Sequence, residues 1–315
     1  MTELPAPPSA APPAPRGGRA MALLALLCVY FIWGSTYLGI RIAISGYPPF
    51  LMAGLRNLLA STLLLLWLKA RRVPWPTRGQ WLAAAAVGGL LLVGGNGGVV
   101  FAEQTVSSSL AALIVSVVPL WMVVFEGLLG GPWPQPLEWV GLALGLAGVG
   151  LLQFEGDLRA SPAGAVALVV ASMSWAFGSV WSRRLKLPPA GMSSAAQMLS
   201  GGCMLLVLGT LVGERLPRGP VRPQATAALV YLAVIGSIVA FSAYVYLLRR
   251  LKPAVVGTYA FVNPVVAVVL GVGLAGERIA PVGVAGTLVI LSGVGLITLR
   301  RLLALRAAAV GPSPE

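Results

Sequence analysis

The sequence predicts an all-α membrane protein: ten transmembrane helices in two inverted five-helix repeats. Three observations predict it. Hydrophobic residues make up 57% of the 315 residues and charged residues only 10%, whereas a soluble domain carries about 25% charged residues. The apolar residues fall into runs of roughly twenty, the length a helix needs to cross the hydrocarbon. One apolar block is also written twice, since Pro119 to Leu151 aligns without a gap with Pro264 to Leu296. The two copies share Pro119/Pro264, Leu129/Leu274, Gly131/Gly276, Pro136/Pro281, Gly141/Gly286 and the run Gly148 to Leu151 with Gly293 to Leu296. Upstream, Trp33…Arg41 matches Trp175…Arg183 at the same spacing. A duplicated apolar unit points to a carrier, because two related halves can rock about a site at their interface.

Each element follows in order. Residues 1–18, rich in Pro and Ala and without apolar periodicity, read as a disordered tail. Arg16 and Arg19 precede the first span, 21–44, which runs on through Trp33 and Tyr37 with no A-x-A-like cleavage site. It therefore reads as an uncleaved span and not a signal peptide. Runs at 49–68, 80–102, 107–129 and 137–154 complete a first repeat, 21–154. Runs at 163–183, 192–212, 225–248, 254–275 and 282–303 make the second, 163–303, and 304–315 is left as a cytoplasmic tail. Pro49, Pro136, Pro162, Pro253 and Pro281 stand at span starts, where the missing N–H has no helical partner to lose.

Loop charges set the orientation. One side of the membrane receives Arg16, Arg19, Lys69, Arg71, Arg72, Arg78, Arg183, Arg184, Lys186, Arg249, Arg250, Lys252, Arg300, Arg301 and Arg306. The other receives only Arg41, Arg159, Arg215, Arg218, Arg222 and Arg278. This asymmetry places both termini in the cytoplasm. Five spans per repeat is an odd number, so the second repeat enters the membrane upside down relative to the first.

Composition also excludes chemistry. There is no histidine, which removes the commonest general base and the usual zinc ligand. Cys28 and Cys203 lie in apolar runs and read as packing residues, with no disulfide and no metal. Nine acidic residues leave little for a carboxylate cage, so neither an enzyme nor a cofactor is expected. The net charge of +13 belongs to the short loops and not to a nucleic-acid surface.

Several motifs occur in order across nearly all of residues 21–303: Ile32-Trp33-Gly34-Ser35-Thr36-Tyr37, Arg56, Gly95-Asn96-Gly97, Ser174 to Ser179, Tyr259 to Pro264, and Gly276-Glu277-Arg278. Together they resemble the EamA branch of the drug/metabolite transporter superfamily. The resemblance implies a central cavity and export of small metabolites across the bacterial inner membrane. The first repeat departs from the pattern, with Pro132 where the second has Glu277.

A transport cavity needs inward polar and aromatic groups at helical spacing. Trp33 with Tyr37, Asn96 with Glu103, Trp175 with Ser179, Tyr244 in the eighth span, and Tyr259 with Asn263 meet that requirement and form the candidate substrate-binding set. The same residue types also serve as interhelical hydrogen-bond partners or interfacial belts. Glu103 reads as an acceptor for a substrate ammonium, as a carrier of a coupling proton, or as a solvated loop residue. Arg56 reads as snorkelling to the outer surface or, in preference, as paired within the bundle. Pro119 and Pro264, at matching repeat positions in apolar runs, read as hinges. The implied partners are a small-molecule substrate, such as an amino acid, and membrane lipid. A cationic-drug exporter, a non-transporting scaffold and a homodimer remain open alternatives.

Overall fold

The computed structural model describes residues 16–133, 135–152, 162–217, 219–251, 253–277 and 281–310, and within these it is helical with no strand. Most of the tail read at 1–18, and the charges at Arg159, Arg218, Lys252 and Arg278, lie outside the described residues. In chain order the helices are α1 (Arg16–Ile44), α2 (Pro49–Ala70), α3 (Arg78–Gly88), α4 (Gly98–Ala102), α5 (Ser108–Val115), α6 (Val118–Leu128), α7 (Pro136–Leu152), α8 (Pro162–Ser182), α9 (Ala190–Leu211), α10 (Pro223–Tyr231), α11 (Ser242–Arg250), α12 (Pro253–Val256), α13 (Tyr259–Ala275) and α14 (Pro281–Val310). Two wide-turn π-helical segments interrupt this series. π1 (Gly89–Gly97) joins α3 to α4, and π2 (Leu232–Phe241) joins α10 to α11.

All five prolines named at span starts open helices, and Pro223 does the same for α10. Thr77 and Gln80 form a reciprocal capping box at the start of α3. Gly276 ends α13 in the left-handed conformation, at φ 65°, which glycine adopts without a Cβ penalty. Among the described residues, seven helical stretches are long and apolar enough to cross a membrane. Pro136–Gly148, Val262–Ala275 and Pro281–Gly293 are apolar but shorter. α14 continues through Val310, into the stretch read as a tail.

Polarity is distributed as a bilayer requires. Leu66, Leu82, Leu211 and Leu274 face outward, whereas Arg56, Asn57, Glu103, Ser193, Gln197 and Ser237 are buried. Polar groups are expensive in hydrocarbon and turn towards neighbouring helices or a cavity.

The packing pairs elements in a regular way. α2 packs on α9, and α7 packs on α14. α1 packs on α13 and on the α10–π2–α11 rod, and α8 packs on α6 and on the α3–π1–α4 rod. Each partnership of the first half thus has a counterpart in the second.

Small residues set the closest approaches. A Cβ on Gly88 would lie 2.6 Å from the main-chain oxygen of Gln197 on α9, and backbone cannot rotate aside as a side chain can. Gly88→Ala is therefore expected to destabilise the protein by about 1–3 kcal/mol, read as a lower melting temperature in detergent. An unchanged melting temperature would mean the two helices are free to separate.

Candidate functional site

A cavity of about 690 Å³, its open mouth included, lies where α1, α2, π1, α8, π2 and α13 converge. On α1, Trp33, Thr36, Tyr37 and Ile40 reach it at spacings of three and four residues, the spacing that places side chains on one helical face. α2 contributes Arg56 and Asn57, π1 contributes Asn96, α8 contributes Trp175, π2 contributes Ser237 and Phe241, and α13 contributes Tyr259 and Asn263. Both halves of the chain build the wall, and both wide-turn segments present residues to it. π-helical turns are rare and gather at functional sites. Gly95 in π1 lets α8 come close, since a Cβ there would lie 2.7 Å from the Trp175 ring.

Aromatic rings cluster at one part of the cavity wall. Trp33 and Trp175, equivalent residues of the sequence repeat, meet edge to face with centroids 5.3 Å apart. Trp33 also meets Tyr244 at 4.8 Å and Tyr259 at 5.4 Å, distances at which aromatic pairs attract beyond their buried area. Tyr244 is fully buried behind this layer. Its hydroxyl accepts from Trp175 Nε1 at 3.1 Å and shares a hydrogen bond with Ser179 Oγ at 2.7 Å.

Beyond the other end of the α1 stripe, one turn past Tyr37, the Arg41 guanidinium donates to Glu277 Oε1 at 2.9 Å. The Glu277 side chain is 3% exposed. Its Oε1 also accepts from the main-chain N–H of Ser108 at 3.0 Å and from Ser108 Oγ at 2.7 Å. Its Oε2 accepts from the Ser109 N–H and hydroxyl. A carboxylate at the start of α5 also meets the positive end of that helix. Burial alone would raise the Glu277 carboxyl, but the Ser109 and Ser108 donors outweigh it and hold it below its ordinary value of 4.5. This cluster ties α1 and α5 to the end of α13.

Of the sequence-predicted residues, Trp33, Tyr37, Asn96, Trp175, Tyr259 and Asn263 border the cavity. Ser179 and Tyr244 stand behind the aromatic layer and hold it. Asn263 is occupied by packing. With its amide turned so that Nδ2 faces carbonyls, it donates to the main-chain oxygen of Tyr30 at 2.7 Å and so joins α13 to α1. Asn96 keeps its Oδ1 without a partner.

One reading changes. Glu103 is not a solvated loop residue, for it is 4% exposed and neither carboxylate oxygen has a hydrogen-bond partner. The chain keeps turning helically past α4, through Gln104 and Thr105 to Val106, and holds Glu103 against the bundle. Glu103 is not among the residues lining the cavity. Arg56 does pair inside the bundle, with a hydroxyl. Its Nε donates to Ser237 Oγ at 2.8 Å, and its Nη1 has no partner.

The two prolines read as hinges occupy unlike places. Pro119 stands in the first turn of α6, just after the chain breaks at Ser116-Val117. Pro264 sits inside α13, and the break in that half comes earlier, at Gly257-Thr258. A first-turn proline costs no hydrogen bond, whereas an interior one does, so matching positions in sequence did not yield matching geometry.

Sequence reasoning missed the cluster of Arg41, Ser108, Ser109 and Glu277. The available signal was the acid directly after Gly276, present in one repeat and absent from the other.

The model of the EamA-like transporter family matches the chain twice, at residues 20–154 and 162–299. The chain is 44% identical over 280 residues to the inner membrane transporter YedA of Escherichia coli strain K12, covering 89% of this chain and 91% of that one. It is 29% identical over 283 residues to the protein PecM of Dickeya dadantii, covering 86% and 92%. A solved crystal structure superposes with a TM-score of 0.65 at 23% identity, covering 90% of this chain and 99% of its own. At that identity the likeness is one of fold.

Proposed function

The chain belongs to the EamA-like transporter family of membrane transporters, and on that premise we propose that it is a secondary carrier of the bacterial inner membrane that exports a small amphipathic metabolite, such as an amino acid, by alternating access. In this reading ten spans form two five-helix halves of opposite orientation, with both termini in the cytoplasm. The mirrored helix partnerships and the meeting of Trp33 with Trp175 support it, as does the excess of loop Lys and Arg on one side.

The observation that carries the proposal is a cavity built by both halves, with an aromatic cluster at its wall and an ionic cluster farther along α1, which we read as two closures. At one, the rings of Trp33, Trp175, Tyr244 and Tyr259 meet. At the other, Glu277 bonds across to Arg41, Ser108 and Ser109. Rocking one half on the other would open either closure while its counterpart holds. Trp33, Trp175 and Tyr259 supply apolar and π surface to the solute, and Asn96 offers it a polar contact. Pro264 would ease bending of α13.

A cationic-drug exporter is the second reading. It is disfavoured because the one charged side chain among the described lining residues is Arg56, which repels a cation in a low-dielectric site.

The test is flux in proteoliposomes loaded with labelled amino acids, organic acids and cationic drugs. Uptake or release of at least one metabolite above empty liposomes is expected. If no solute moves, the carrier reading is withdrawn. If only cations move, the second reading replaces the first.

A further inference from the structure

Arg56 is the cavity's unexplained charge. It is 6% exposed, and no described carboxylate lies within ion-pair reach of it. Ser237, from the other half of the chain, holds its Nε at 2.8 Å, which leaves Nη1 without a partner in a cavity that the residue lines. The buried Glu103 attracts Arg56 from beyond ion-pair reach, and a buried charge held only at a distance still costs free energy, a cost that in a carrier can be offset each time a charged solute arrives. Across the wall, Asn96 also leaves a polar atom, Oδ1, unpartnered. The aromatic layer below supplies the apolar surface for the rest of such a molecule.

We propose that Arg56 is the anion-recognition group of the cavity, that it receives the carboxylate of the transported solute, and that Asn96 meets the solute's amino or hydroxyl group. The proposal rests on the carrier reading above and narrows its substrate class to organic acids with an apolar part, amino acids among them. A guanidinium fixed at Nε presents its remaining N–H groups in a planar fork that matches a carboxylate. Ser237 is then a positioning residue, because it sets the plane of that fork. A few well-placed polar groups in an otherwise apolar pocket are what orient small ligands. The second half has Gln197 near the position matching Arg56, so the cavity carries a single positive pole and binds an acid in one orientation.

The test compares each common amino acid with its own carboxamide, using ligand-induced thermal shifts of the full chain in detergent. At least one acid is expected to bind more tightly than its amide, and Arg56→Gln should weaken that acid by about tenfold or more while leaving the amide unchanged. Arg56→Lys should restore some of the acid preference, since it keeps the charge and loses the fork. Should the Gln variant fail to fold, Ser237→Ala serves instead, with the acid weakened and the amide untouched. A residue that merely braced the bundle would not change the acid-to-amide ratio. The proposal is overturned if no acid outbinds its amide, or if the ratio survives in both the Gln and Ala variants. Proteoliposome flux of the best-bound acid separates the two claims. Binding without flux removes the carrier and keeps the site, whereas flux of that acid undiminished in Arg56→Gln removes the site and keeps the carrier.

Discussion

Replacing Glu277 with Ala is expected to cost about 3–5 kcal/mol of stability at neutral pH, the range for removing one partner of a buried ionic group. The loss is large because one carboxylate satisfies five donors: the Arg41 guanidinium and the N–H and hydroxyl groups of Ser108 and Ser109. Arg41 is 43% exposed and can turn to water, but the serines are buried and cannot. Glu277→Gln should lose less, since one amide oxygen still accepts. The pH dependence has a definite sign. Because the folded carboxyl titrates below its ordinary value of 4.5, its contribution is present above that value and is lost as pH falls through the lower folded value. The gap between wild type and Glu277→Gln should therefore be wide at pH 7 and close in acid. Unfolding in detergent across that range measures it, and a gap that is absent at pH 7, or that persists in acid, refutes the account.

The second large effect is expected at Trp33. Its ring touches Trp175, Tyr244 and Tyr259, so Trp33→Ala should cost about 3–5 kcal/mol by leaving a void among partners that cannot all collapse inward. Each aromatic pair adds about 0.5–1.5 kcal/mol beyond area. If that surface also grips the solute, flux should fall about tenfold or more. Trp33→Phe, which keeps a ring, should recover some of both. A stable and fully active Ala variant would show that the ring layer is neither a closure nor a contact.

Much of the fold was legible because lipid imposes simple rules. Apolar run length located the seven described stretches long enough to cross a membrane, and the prolines at 49, 136, 162, 253 and 281 stand where helices start. The aromatic half of the site was legible too, since Trp33 and Trp175 stood out as repeat equivalents and do meet. What escaped depends on contacts between residues distant in the chain. Nothing local says that Glu277 bonds to serines about 170 positions away, or that Arg56 meets Ser237 and not an acid. Glu103 looked solvated because it ends a span, yet the helical turns after it fold it inward. Run length is equally blind to whether a stretch winds as α or as π, so π1 and π2 went unseen.

Those two segments make the cavity's chemistry a matter of counting. On an ordinary α-helix each residue advances the winding by about 100°. Asn96 lies near the end of π1, and Ser237 lies midway along π2. Their aim therefore depends on how many residues each wide coil takes up. Loss of a single amino acid from either stretch would swing everything downstream around the axis and point these groups at lipid. Indels, more than exchanges of side chain, are the changes to which this candidate binding surface is most vulnerable.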